Sequence, residues 1–252
     1  MVGKLLMRGM LAGVVAGLIA FAFARVVGEP QVERAIAFEK HAHAQGDAPE
    51  LELVSRETQA GLGLLTGVVA YGAAIGGLFA VTFACAWGRV GKLGARPLSA
   101  WLALAAFVAF MLVPNLKYPA NPPSIGDPDT IGYRTGLFFL TIAISVAIMV
   151  LSLNVRAVAA RRLGEWNGAL AGLLAFVMML AVVLAVLPDI DEVPAAFPAT
   201  LLWRFRVAAI GVQAVIWTTI GALFGVLAER SELLGKRSRH TARGASPATR
   251  AF

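Results

Sequence analysis

Apolar residues along this chain collect in long uninterrupted runs, separated by short stretches rich in charge or proline. Crossing a hydrocarbon core of about 30 Å takes roughly 20 apolar residues in a helix, and six runs meet or nearly meet that length. They cover residues 5–27, 59–87, 98–116, 131–155, 166–187 and 207–228. The fold class they predict is an all-α integral membrane protein of about six transmembrane helices, arranged as three hairpins. One transmembrane domain, residues 1–228, then precedes a basic tail, 229–252, whose Ser, Arg, Ala and Gly content predicts disorder.

The breaks between runs fall into two kinds. Residues 28–58 carry seven acids, and the segments 117–130 and 188–206 are dense in proline, which cannot continue a helix. The other two breaks are short and basic, with Arg89, Lys92 and Arg96 in one and Arg156, Arg161 and Arg162 in the other. With the N-terminus inside, cytoplasmic segments hold 14 of the 22 basic residues and the outer segments hold 12 of the 15 acids. The bias of Lys and Arg toward the cytoplasm therefore predicts both termini inside and the proline-rich loops outside.

Lys4 and Arg8 ahead of the first run, with Ala22-Phe23-Ala24 near its end, also fit a signal peptide. The run is longer than a signal core. Its Gly13 and Gly17 form a GxxxG suited to close helix packing, as do Gly63/Gly67 and Gly72/Gly76 in the second run. Cleavage would leave five spans and would not move the following loop.

Composition agrees with a membrane protein: 58% of residues are hydrophobic and 15% charged, against about 25% charged in soluble domains. The net charge of +7 sits at helix ends and in the tail, where the cytoplasmic bias accounts for it without nucleic acid. Cys85, the only cysteine, has no partner for a disulfide or a CxxC site and reads as a packing residue.

Candidate chemistry is sparse. There is no GxSxG or HExxH, and Gly91-Lys92 lacks the glycine at position 86 that a Walker A loop needs, so neither an enzyme nor ATP binding by this chain is expected. Span centres are nearly free of ionisable groups, and Gln213 is the main in-membrane polar candidate. His41 and His43, with Glu39, are the candidate metal ligands, since two imidazoles and a carboxylate suit a divalent transition ion. Rings at i and i+2 share one side of an extended strand but not of a helix.

The outer connections repeat. The third run ends Leu112-Val113-Pro114 and is followed by Pro119-Ala120. The fifth ends Val186-Leu187-Pro188 and is followed by Pro194-Ala195. Arg56, Arg134 and Arg206 each stand at the start of the helix after an outer loop. Two readings remain open: each arginine anchors a helix at the interface, or the three share a site at the interface of parallel repeats. Lys117, with Asp127 and Asp129 just before Arg134, adds an acid–base lattice at the same mouth.

Six stretches, Gly28-Glu29-Pro30 and residues 54–59 (VSRETQ), 117–123 (KYPANPP), 126–135 (GDPDTIGYRT), 192–199 (EVPAAFPA) and 202–206 (LWRFR), run in order along nearly the whole chain outside the tail. Together they resemble the CbtA family, predicted membrane subunits of bacterial cobalt transporters. The resemblance implies a multi-pass protein of the bacterial inner membrane that imports Co²⁺ for cobalamin synthesis. It also implies a small single-span partner subunit carrying histidines, with no permanently bound cofactor. Glu29, Arg56, Gln59, Lys117, Asn121, Asp127, Thr130, Arg134, Glu192 and Arg206 carry over as motif positions, not as a defined metal site. The competing reading is a membrane scaffold or regulatory subunit that conducts nothing itself.

Overall fold

The structure, a computed structural model, describes residues 2–43, 54–89, 93–123 and 125–244, leaving aside the side chains of 2, 42–43 and 231–244. All regular structure among the described residues is helical. Five helical segments are long and apolar enough to cross a membrane: Gly3–His41, Arg56–Ala86, Ala95–Lys117, Pro128–Val186 and Ala199–Arg230.

The first of these joins α1 (Val2–Phe23) to α2 (Glu29–His43) through a wider π turn, Ala24–Gly28. The third joins α5 (Ala95–Phe107) to α6 (Val113–Lys117) through a second π turn, Val108–Leu112. Both have the same cause in sequence: a proline, Pro30 or Pro114, stands two residues past the π turn. Lacking an N–H, it cannot serve the carbonyl four residues back, and its ring crowds that carbonyl. The widened turn takes up the fault. The amide of Glu29 donates to Ala24 O, and that of Val113 to Val108 O, each five residues back. A third π turn, Gln59–Gly63, joins α3 (Arg56–Thr58) to α4 (Leu64–Ala86); it has no proline but contains Gly61 and Gly63.

The polar segment after Gly28 thus stays helical to His43 instead of becoming a loop. Its Glu, Gln, Ala and Lys are good helix formers. Gln31 supports the turn by donating to Val27 O and accepting from Arg34. At the other end, α8 (Ala199–Gly244) keeps its backbone helical into the stretch expected to be disordered, and residues 245–252 lie outside those described.

Helix α7 (Ile131–Val186) is two helices joined at Gly164, where φ 84° and ψ 163° cannot belong to a helix. A side chain would be strained at that φ, so glycine makes the break possible. A Cβ on Gly168 would fall 2.6 Å from the Cβ of Ala160, and one on Gly172 would fall 3.0 Å from Ser152 O. The two limbs therefore run back along each other.

The chain packs as two units. One comprises Met1–Phe21, Gly61–Leu104 and Val215–Phe252. In it, α1 and α4 meet backbone to backbone: a Cβ on Gly13 would overlap the Gly72 carbonyl, and one on Gly76 the Gly9 carbonyl. A Cβ on Gly17 would lie 2.7 Å from Val69 Cα. Gly67 has nothing within 4 Å, so of the two glycine pairs expected to pack in α4, Gly72/Gly76 makes the approach and Gly67 does not. On α5 and α8, Ser99 Oγ donates to Gly221 O at 2.7 Å, while the Phe224 ring sits edge-on to Phe79 and Phe83 at 5.4 and 5.0 Å. Cys85 is exposed on α4 and takes no part in this packing.

The second unit comprises Ala22–Ala60 and Ala105–Ala214. Its small apolar core is Ala35, Ile125, Phe197 and Leu201, with Phe38, Val193 and Leu202 against it. Phe38 and Phe197 meet edge to face at 5.1 Å. These residues come from α2 and from both proline-rich connections, so each of the three segments is fixed by the other two.

Candidate functional site

The charged residues singled out by the sequence lie mostly in this second unit, around the three connections. Glu29 follows the first π turn and is only 8% exposed. Arg56, at the first turn of α3 behind the Ser55 cap, forms an ion pair with it. The Arg56 Nε is buried and has no hydrogen-bond partner. Gln59 is spent locally, donating to Val54 O at 2.9 Å.

The other two connections hold each other. Lys117, on the last turn of α6, donates to Leu184 O at 2.9 Å and pairs with Asp189. Tyr118 donates from its hydroxyl to Pro188 O at 2.9 Å, and burial raises its pKa above the ordinary value against the lowering effect of Lys117. Arg206, on α8, reaches back to the loop that follows Lys117. Its Nη2 donates to Asn121 Oδ1 at 2.9 Å and its Nε to Ala120 O at 3.3 Å. Asn115 braces that loop by accepting from the Ala120 amide at 3.2 Å and donating to Met111 O at 2.9 Å.

Glu192 makes the reverse reach. One of its oxygens accepts from the Asp127 amide at 2.9 Å and forms an ion pair with Arg134 Nε at 3.1 Å, and the other accepts from the Thr130 hydroxyl at 2.7 Å. The hydroxyl also lies 3.0 Å from Asp127 O, but it has one proton, and the shorter contact to a charged acceptor takes it. Arg134 Nη2 donates to Asp127 O at 3.0 Å, and its Nε donates to Thr130 Oγ1 at 3.1 Å. The Thr130 hydroxyl does most to lower the Glu192 pKa; desolvation opposes it, and the Asp127 amide and Arg134 add to the lowering.

Gly126 makes room for this knot. It has φ 108°, a left-handed conformation, and any Cβ there would fall 2.7 Å from Arg134 Cζ. Asp127 caps the following 3₁₀ turn, Pro128–Thr130, by accepting from the Asp129 amide at 2.9 Å. Asp129 itself faces solvent.

Arg134 and Arg206 occupy matching places, each at the start of a helix after a proline-rich connection. Each grips the other's connection, so neither serves only to anchor its own helix. A family model covering residues 2–229 matches this chain, and its description is "Probable cobalt transporter subunit". The chain belongs to the CbtA family. It is therefore a membrane subunit of a cobalt transporter in that family's sense, multi-pass by the length and apolarity of its helices. Comparison with curated proteins and with solved structures finds no match.

In this CbtA chain His41 is not among the residues whose described contacts form the knot. His41 is exposed on α2, and the His43 side chain lies outside the described residues. The backbone here is helix, so the extended geometry that would align the two rings is not met. Among the described residues no group of three His, Cys, Asp or Glu is placed to hold a metal ion. Gln213 is half-buried on α8 and engaged in an interaction.

Nothing in the sequence marked Asp189 as the partner of Lys117, Asn115 as the brace of its loop, or the room made for Arg134 by Gly126. Gly126 itself left a trace in sequence: Gly-Asp-Pro is a turn signal whose glycine supplies the left-handed step.

Proposed function

We propose that this chain is the membrane subunit of a cobalt uptake system in the bacterial inner membrane. It crosses the bilayer six times as three hairpins, with both termini in the cytoplasm and the charged knot at the outer mouth. The break at Gly164 supports the sixth span, because each limb of α7 is then long enough to cross on its own. The basic turns, one of them at that break, support the orientation.

The observation that carries the reading is the reciprocal grip of Arg134 on Glu192 and Arg206 on Asn121. It makes the two proline-rich connections a single mouth that opens only when both grips let go. It also meets an electrostatic objection. Four cations at the mouth would repel a dication, but Arg56, Lys117 and Arg134 are each neutralised by a carboxylate. Asp127 and Asp129 are exposed, make no ion-pair contact among the described residues and supply the attraction for Co²⁺, while Asp191 acts on Arg206. Oxygen and water ligands at such a mouth suit a hydrated divalent ion. Imidazole ligands then come from a small single-span partner carrying histidines.

The test is uptake of radioactive cobalt into cells expressing the chain, with and without a candidate partner, against an Arg134→Ala/Arg206→Ala variant of equal membrane abundance. Uptake that needs the chain and falls in the variant is expected. Absence of uptake in every setting, with both proteins inserted, would leave a scaffold for a partner complex as the better reading.

A further inference from the structure

The two limbs of α7 leave an open groove of about 840 Å³ on one side of their contact. Leu151, Val155, Val158, Leu163 and Met178 line it, and Arg162 stands at its end beside the Gly164 break. Among the described residues the most apolar stretch of Pro128–Val186 is only 6% buried, against 28–39% in the other four spans, and Leu151, Val155, Val158, Leu163 and Met178 are each exposed.

Its dimensions and charge select an occupant. From Leu151 to Leu163 the groove runs about 18 Å at 1.5 Å per residue. That is about one leaflet of a core roughly 30 Å thick, where a partner helix would need both. Trp166, 76% exposed next to the break, marks the headgroup level at the groove's charged end. There the arginines differ. Arg156 is held by Glu165 at 3.0 Å, whereas Arg161 and Arg162 are exposed with no ion-pair contact among the described residues. An apolar channel one leaflet deep, ending at the unneutralised Arg162 with Arg161 its neighbour in sequence, matches one lipid acyl chain below an anionic phosphate.

We infer that the α7 hairpin is a binding site for an anionic phospholipid, with its phosphate on Arg161 and Arg162 and an acyl chain in the groove. Bidentate arginine–phosphate contacts fix the headgroup, and basic sites between transmembrane helices are known to hold acidic lipid headgroups. The inference does not rest on the transport reading, because binding is measured without metal.

The experiment is native mass spectrometry of the full chain released from detergent carrying phosphatidylglycerol or phosphatidylethanolamine. Phosphatidylglycerol is expected to stay bound at collision energies that strip phosphatidylethanolamine. In Arg161→Gln/Arg162→Gln its affinity is expected to fall roughly thirtyfold, two contacts totalling about 2 kcal/mol. Val158→Trp, which fills the groove with the charges intact, should also lose the lipid, and Arg156→Gln should keep it. Equal retention of the two lipids, or an unchanged Arg161→Gln/Arg162→Gln variant, would overturn the inference. So would a wild-type dimer that Val158→Trp separates while lipid retention stays the same, since a second copy would then be the occupant. The Arg161→Gln/Arg162→Gln pair changes only exposed residues, so it keeps the test decisive if the tryptophan variant misfolds.

Discussion

In the unit containing α4, helices approach until glycine carbonyls touch glycine Cα atoms, and what holds them is the absence of side chains at Gly9, Gly13, Gly72 and Gly76. In the unit containing the proline-rich connections, the contacts are made by the longest side chains the chain has, Arg134, Arg206 and Lys117, reaching across to Glu192, Asn121 and Asp189 on another connection. Contacts between packed backbones are short-ranged and depend on fit, so a side chain added at the first unit's seam has nowhere to go. Hydrogen bonds between charged side chains and loops at a wet surface can exchange with water or an ion, so the second can open.

The largest effect should come from attacking the first unit. Gly13→Leu or Gly76→Leu drives a side chain into a facing carbonyl that cannot move aside, and should cost about 3 kcal/mol or more. The measurement is the unfolding midpoint of purified protein in detergent. Gly67→Ala sharpens the contrast: with open space at that position, its midpoint should stay close to wild type.

Next is Gly126→Ala, which strikes the second unit at the left-handed glycine inside its knot. The φ of 108° alone should cost about 1–3 kcal/mol, and the new Cβ displaces the Arg134 guanidinium. Cobalt uptake should fall together with stability. In a double-mutant cycle, Arg134→Ala should add little on the Gly126→Ala background, because the guanidinium is already dislodged. Full additivity would show that glycine and arginine act separately.

These two units were not equally legible in the sequence. Gly13/Gly17 and Gly72/Gly76 announce close packing because a small residue every four positions in an apolar helix has few other uses. Gly67 carries the same signal and goes unused, since which face meets a neighbour is decided by tertiary arrangement. The arginines of the second unit were visible as a repeat, but their partners were not: Asn121 lies 85 residues from Arg206, and no local pattern links them. The helical stretch from Glu29 to His43 was hidden by polarity, which reads as loop although its residues favour helix. Pro30 and Pro114 read as breaks, and the structure absorbs both as π turns.

The pH response separates the units again. A carboxyl whose folded pKa is lowered contributes stability above its unfolded value and loses it as pH falls through the folded one. The Glu192 pKa is lowered first by the Thr130 hydroxyl. Its grip on Arg134 should therefore persist through mild acid and fail only below the ordinary carboxylate range. Thr130→Ala should move that failure to higher pH, read as the pH at which the unfolding midpoint begins to drop. The glycine contacts have no titrating group, so the Gly76→Leu deficit should be the same at every pH. An acid transition that Thr130→Ala leaves in place would remove Glu192 as its cause.

The smallest effect belongs to Ser99→Ala, which puts a number on polar contacts within the packed unit. Ser99 is fully buried, and its hydroxyl donates to the Gly221 carbonyl, a contact linking α5 to α8. The Gly221 carbonyl is already the acceptor of a helical bond, so the serine adds a second donor and rescues no stranded group. Hydrogen bonds between helices in membranes average about 0.6 kcal/mol, since an unfolded chain in lipid also finds partners. Ser99→Ala should therefore lower the unfolding midpoint slightly and leave the helices in contact, because Gly221 still abuts Ala103 and Gly225 still abuts Arg96. A loss several times larger would mean that the hydroxyl sets the spacing of α5 and α8, making the first unit depend on a polar contact as the second does.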